Sequence, residues 1–323
     1  MTIKTSDFSS LGTLTQLGDG GEGVVYRVSR IPGHVYKEYK SAVLHEVDPR
    51  GLETTIGILD QLSSEAQAFV SQHSAWPHTL IQKNGVVCGF LMQEIPGEFS
   101  CEHGMVGRPR TVLTDWNKLV TRDDWMDKSN IESTAKKFDL SSKADESAMI
   151  LLLLDLAQFF YHLHEHRVVV GDVSGRNILW TTSAAPSVFL IDCDGFRLEG
   201  DRAVTTSKQS PDWFDTDLTG ETTLDSDRFK LATAIYRAYF SDPFGSPSSP
   251  KGTAGKNGDK ILKLAKQGTS SSNRTSALAW CELLQEIESG RARRPWIRKK
   301  VQSPVAPVQT HVPTFRPWKS KNS

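Results

Sequence analysis

Residues 168–179, Val-Val-Val-Gly-Asp-Val-Ser-Gly-Arg-Asn-Ile-Leu, set Asp172 and Asn177 five positions apart behind a short apolar run. An aspartate so placed can take or orient the proton of an acceptor hydroxyl, and an asparagine amide oxygen five residues on can ligate a hard cation, a combination suited to phosphoryl transfer. Taken singly, Asp172 is also an ordinary turn former; the apolar helix before it, the valine run, the spacing and the apolar Ile178-Leu179-Trp180 after it point together to chemistry. A second carboxylate stands at the end of the β-like run Val188–Ile191, which leads into Asp192-Cys193-Asp194-Gly195-Phe196. By register Asp192 is delivered to the depth where magnesium would bridge nucleotide phosphates. Asp194 is read either as a second ligand of that cation or as the cap of the following turn. Cys193 is read as packing.

Upstream, Gly18, Gly20, Gly21 and Gly23 sit in Gly-Asp-Gly-Gly-Glu-Gly, a G-x-G-x-x-G pattern that alone fits several phosphate-binding turns as well as a plain hairpin. A dinucleotide fold requires a helix directly after the last glycine, whereas Val24-Val25-Tyr26-Arg27-Val28 reads as a strand, so the loop joins two strands. Lys37 lies on the next strand, within Val35-Tyr36-Lys37, with Lys40 nearby as a reminder that surface lysines are common. Glu53 and Glu65 are its two candidate carboxylate partners, and Glu53 is preferred.

The elements that must hold these residues are legible in outline. Residues 11–92 are strand-rich, with one helix expected over 52–67 and a Lys-Asn-Gly hairpin turn at 83–85. After a polar stretch, 97–143, a helix apolar on most faces is expected over 146–164, followed by helices at 225–240 and 276–289. Residues 243–257 and 268–272 read as Gly/Ser/Pro loops. The expected class is α+β and bilobal: an N-terminal lobe over 1–95, a helical lobe over 96–300 that contains the insert 97–143, and a basic, proline-rich tail over 301–323.

Composition is that of an ordinary globular protein, 38% apolar and 24% charged, with zero formal net charge but only Arg and Lys among the charged residues from Arg291 onward. No uninterrupted apolar run reaches membrane-spanning length, no nucleic-acid module is visible, and the four cysteines lack metal or redox spacing. A cytoplasmic location is the expectation.

On these residues the chain resembles the eukaryotic-like protein kinases over about 11–300. The stretches 75–92, 168–179, 188–196 and 210–218 are similar to a bacterial branch associated with von Willebrand A-type proteins and metal-dependent phosphatases in tellurite-resistance and stress clusters. The resemblance implies ATP and magnesium as cofactors and a protein substrate modified on serine or threonine. It implies that the glycine loop and Val25 cover the nucleotide, that Lys37 grips its phosphates, and that Met92 is the gatekeeper with Gln93 to Ile95 along the adenine. Asp172, Lys37 and Asn177 would be catalytic, and Asn177 and Asp192 would bind the metal. Asp227 would anchor the catalytic loop and Arg294 would pair with Asp217. Gly171 stands where the family has an arginine that senses a phosphorylated activation loop, so activity without such phosphorylation is expected. Ser174 replaces the usual lysine and Arg176 lies four past the aspartate, which leaves a tyrosine acceptor open. Two other readings also stay open: a small-molecule phosphotransferase, favoured by Gly171 and Ser174, and a nucleotide-binding pseudokinase scaffold.

Overall fold

The computed structural model describes residues 4–103, 110–121, 146–183, 185–201, 203–205, 210–217, 220–250 and 255–290. Arg294, the tail over 301–323, Trp125 and much of the insert lie outside the described residues.

The N-terminal half is one six-stranded sheet. In chain order its strands are β1 (Thr5–Asp7), β2 (Leu14–Asp19), β3 (Gly23–Val28), β4 (His34–Tyr39), β5 (Pro77–Lys83) and β6 (Val86–Gln93). They lie in the order β1-β5-β6-β4-β3-β2, antiparallel throughout except for β1, which runs parallel to β5 at one edge. The β5–β6 turn has Asn84 and Gly85 at φ 54° and 78°, the two left-handed residues that a tight hairpin requires. Gly89 on β6 must be glycine for a different reason: a Cβ there would lie 2.0 Å from the carbonyl oxygen of Lys37 on β4.

Between β4 and β5 come a single turn, α1 (Ser41–Leu44), and two helices, α2 (Pro49–Ile58) and α3 (Ser64–Gln72). The sequence pattern merged the last two into one helix. They part because a 3-10 turn over Leu59–Gln61 breaks the register and Ser63 starts afresh, its hydroxyl capping the amide of Ala66.

The C-terminal half is mainly helical. It begins with a small hairpin, β7 (Ser100–His103) and β8 (Arg110–Leu113), and the short α4 (Trp116–Val120). The long α5 (Glu146–Glu165) leads to β9 (Val168–Val169), and the hairpin β10 (Ile178–Thr181) and β11 (Ser187–Leu190) precedes β12 (Arg197–Leu198), which pairs with β9. Then come α6 (Leu224–Phe240), α7 (Gly255–Gly268) and α8 (Ala277–Ser289).

By length and apolarity α5 would cross a membrane, yet 61% of its most apolar window is buried by the protein itself, chiefly under α8. The helix α7 runs through a stretch whose beginning read as loop. Its buried face is narrow, Gly258, Ile261, Ala265 and Gly268, and Gly268 sits so close to α6 that a Cβ would meet that of Ala232 at 2.4 Å. Trp116 shows what the described part of the insert does. Its ring is fully buried in the helical core and its indole N–H donates to the carbonyl of Ala234 on α6, 3.1 Å away.

A separate apolar cluster joins the halves: Val35, Phe90 and Met92 from the sheet meet Leu179 and Phe189 from the β10–β11 hairpin. The cleft, lined by Glu22 from the first half and by Asp172, Asp192 and Asp194 from the second, shares Val204 with this cluster.

Candidate active site

The platform beneath the cleft is α6. Its start is fixed by a reciprocal cap, Thr223 with Ser226, which sets the register of the next turn. That turn carries Asp227, fully buried, whose two carboxylate oxygens accept the backbone N–H groups of Val170 and Gly171 at 2.7 and 2.9 Å. One turn further, the fully buried Lys230 donates to the carbonyl of Gly171 at 2.6 Å. Three backbone groups of the loop before Asp172 are thus held by one helix face. Gly171 is itself a left-handed residue, φ 79°, and a Cβ there would lie 3.0 Å from the Thr222 hydroxyl and 3.5 Å from the Arg197 guanidinium. Arg197 uses that guanidinium on the Thr222 carbonyl and hydroxyl, at 2.6 and 3.0 Å.

On this platform Asp172 accepts a hydrogen bond from the Ser210 hydroxyl at 3.2 Å. Burial raises the pKa of its carboxyl above the ordinary range, against the pull of Lys230 and Ser210. Asn177 donates its amide N–H to the carbonyl of Asp172 at 3.0 Å. That bond fixes which way the amide points and leaves its oxygen as an acceptor.

The β10–β11 hairpin brings the second carboxylate. Leaving β11, the chain turns through Asp192 in the left-handed conformation, φ 63°. Lys37 on β4 donates to Asp192 Oδ1 at 2.5 Å and to Asp194 Oδ1 and Oδ2 at 2.8 and 3.0 Å. The Tyr39 hydroxyl donates to Asp194 Oδ2 at 2.8 Å. Burial works against the Lys37 ammonium, but Asp194 and Asp192 outweigh it and hold its pKa above the usual lysine value. Asp192 is correspondingly lowered, chiefly by Lys37, while burial raises Asp194. The Asp192 side chain is 46% exposed against 5% for Asp194, so Asp192 is the open one of the two although both line the same cavity.

The glycine loop lies over these groups as the turn between β2 and β3, and Glu22 at its tip lines the same cavity as Asp172 and Asp192. Gly23 is the one glycine of the four that sterics demand, since its Cβ would meet the Glu38 carbonyl at 2.7 Å. Gly18 and Gly21 face open space. Met92 belongs to the apolar seam, and Val25 and Ile95 pack against it.

Neither glutamate expected beside Lys37 is there. Glu53 on α2 and Glu65 on α3 are both exposed, because the inward face of α2 carries Leu52, Thr55 and Ile56 instead. Arg294 lies outside the described residues. The buried arginine that reaches the segment after Ser210 is Arg274, which binds Asp215 through both guanidinium nitrogens at 2.5 and 3.0 Å and Asp217 at 3.2 Å. Sequence reasoning missed Arg274, Asp215, Lys230 and Ser210. For Lys230 there was a signal, a lysine within the otherwise apolar stretch of α6.

A magnesium ion would find a hard-oxygen set here in the Asp192 carboxylate and the Asn177 amide oxygen. Among the described residues no cluster of three or more His, Cys, Asp or Glu forms a cage.

No family model matches the chain. Among curated proteins it is similar to Protein kinase YegI of Escherichia coli strain K12, 25% identical over 253 residues, which is 72% of this chain and 32% of that protein. The protein of the same name from Escherichia coli O157:H7 is 24% identical over 241 residues, 70% of this chain and 31% of that protein. The chain therefore spans about a third of the length of the curated relatives it matches. The similarity is low but extends over most of the chain, and it supports a protein-kinase-like family and a kinase-type function. The antiparallel-rich sheet and helical second half are compatible with that fold.

Proposed function

We propose that this chain is an ATP- and magnesium-dependent protein kinase that transfers the γ-phosphoryl group to serine or threonine hydroxyls. We place it in cytoplasmic stress signalling beside a von Willebrand A-type protein and a metal-dependent phosphatase, a setting that rests on the resemblance alone. The observation that carries the catalytic reading is the convergence of Asp172, Asn177, Lys37 and Asp192, drawn from separate segments, under one glycine-rich turn.

In this reading the apolar seam of Val25, Val35, Met92 and Leu179 takes the adenine, with the backbone of Gln93 to Ile95 along its edge. Lys37 binds the phosphates. Magnesium, when bound through Asp192 and Asn177, would neutralise charge on the phosphate oxygens. Asp172 would receive the acceptor hydroxyl and take its proton as the hydroxyl oxygen bonds to the γ-phosphorus and the bond from that phosphorus to the bridging oxygen breaks, ADP leaving with that electron pair. Its raised pKa brings it closer to the working pH of a general base. Asp227 and Lys230 hold the loop so that Asp172 need not reorganise. With Gly171 in place of an arginine, and Arg197 already bound to Thr222, no loop phosphate is needed to organise this region.

Incubation with γ-labelled ATP, magnesium and a generic protein acceptor tests the proposal. Label should appear on protein, fall about a thousandfold in Asp172→Ala and Asp192→Asn, and survive prior phosphatase treatment. Phosphoamino-acid analysis should return phosphoserine or phosphothreonine. Magnesium-dependent nucleotide binding without transfer would favour a scaffold, and transfer only to small hydroxyl compounds would favour a small-molecule kinase.

A further inference from the structure

Lys37 is 6% exposed and faces two carboxylates, so the cluster carries one positive and two negative charges. The two aspartates are not equivalent. Asp194 is 4% exposed, spends both oxygens on Lys37, and accepts a further bond from Tyr39 on the oxygen farther from the ammonium. Asp192 makes one contact with Lys37, and nearly half of its side chain is open to the cleft. A cation entering the cleft can claim Asp192 without uncovering Asp194, and Lys37 then keeps a partner.

The helices offer no alternative partner. Glu53 and Glu65 are exposed and form no ion pair among the described residues. The inward hydroxyl of α2, Thr55, donates to the carbonyl of Phe196 at 2.7 Å, two residues past Asp194. The helix is thus tied to the segment that carries Asp194 rather than to the lysine.

We propose that Asp194 is the dedicated counter-ion of Lys37, a positioning residue that takes the place of a helix glutamate and leaves Asp192 free as the carboxylate for the metal. The assignment rests on the kinase reading above and specifies how its phosphate-binding lysine is held. It excludes Asp194 as a second metal ligand, and it ties α2 to the counter-ion of the lysine through the segment 194–196.

A double-mutant cycle decides between the roles, because two residues that act as one unit are non-additive. Lys37→Met, Asp194→Asn and the double variant would be compared in the full chain for kcat/KM of ATP and for melting temperature, with Glu53→Gln as comparator. Asp194→Asn should lower kcat/KM by about a hundredfold, the double variant should be no worse than Lys37→Met within about threefold, and Glu53→Gln should stay within about twofold of the starting protein. Multiplicative losses in the double variant would overturn the proposal in favour of a separate metal-ligand role. A Glu53→Gln loss matching that of Asp194→Asn would overturn it in favour of the helix.

Melting temperature reads the same pairing without any turnover. Lys37→Met leaves the buried Asp194 without its counter-ion, with the Tyr39 hydroxyl still bonded to it, so adding Asp194→Asn should recover about 3 °C or more. No recovery would overturn the proposal. Absence of phosphoryl transfer in the unaltered chain would defeat the kinase reading instead and leave this melting test standing.

Discussion

Two clusters among the described residues each set a buried cation against one buried carboxylate and a more open one, and the open members face different surroundings. Around Arg274, the guanidinium forms a two-point contact with Asp215, with side-chain exposures of 3% and 1%, and reaches Asp217 and Asp225 at the rim. Around Lys37, one carboxylate is sealed in and the other opens to the cleft. The first arrangement ties the segment after Ser210 to the loop before α8, and its half-open members, Asp217 and Asp225, sit at its outer edge. The second keeps an acceptor in reserve. Neither burial of charge nor a half-open carboxylate beside it is therefore a sign of function by itself; what sets the Lys37 cluster apart is that Asp192 opens into the cavity that Asp172 also lines.

The comparison can be broken at its closed end. Arg274→Ala leaves Asp215 buried without its main partner and should destabilise the fold by about 3–5 kcal/mol, measured by urea unfolding. The paired replacement Arg274→Met with Asp215→Leu should recover most of that, since similar apolar volume can replace a buried ion pair at little cost. A paired variant as unstable as the single one would mean that the bond to the Asp225 carbonyl, not the ion pair, holds the segment.

A buried titratable group whose charge is opposed by its burial sharpens the contrast. His162 on α5 is 7% exposed and packs against the Phe69 ring with His73 and His166 nearby, and burial followed by those neighbours pushes its pKa down to about 4. Between the ordinary histidine value and about 4 the unfolded chain binds the proton and the folded chain does not, so stability falls as pH falls through that window. His73 shifts the opposite way: burial opposes its charge, but Asp155 outweighs it, so His73 adds stability at acid pH that is lost as pH rises. The His162 contribution should be on the order of 2 kcal/mol after allowance for screening, and His162→Gln should flatten the acid limb of an unfolding-versus-pH curve by that amount.

The smallest expected effect belongs to a pair at the surface. Lys260 and Glu286 meet at 3.0 Å between α7 and α8 with about a third of each side chain exposed. Lys260→Ala should cost less than about 1 kcal/mol by the same unfolding measurement, and less still in high salt.

These clusters also show where sequence reading stops. Asp172, Asn177 and Asp192 were legible because each belongs to a short local pattern: a fixed spacing, or a carboxylate at the end of an apolar strand. Lys37 was legible from strand order. Its partner was not, because choosing among Glu53, Glu65 and Asp194 requires the rotation of α2, and a break at residues 59–63 changes which face points inward. Arg274 was out of reach for another reason. It lies 59 residues from Asp215, in a loop rich in serine that has no periodicity to mark one inward side chain. The α+β outline, an antiparallel-rich sheet followed by a helical second half, followed from strand and helix periods, whereas the parallel edge strand β1 was missed, three residues being too few to show alternation.

The coverage of α5 has a consequence for the order in which the chain can be made. Its chief shield, α8, begins 112 residues after α5 ends, as 277 minus 165 gives. At ordinary synthesis rates that is a delay of about 6 to 20 s during which a 20-residue apolar helix has left the ribosome without its cover. The contact is also among the most non-local in the helical half, which slows its formation once both partners exist. During translation α5 is therefore an apolar surface left uncovered until α8 follows it.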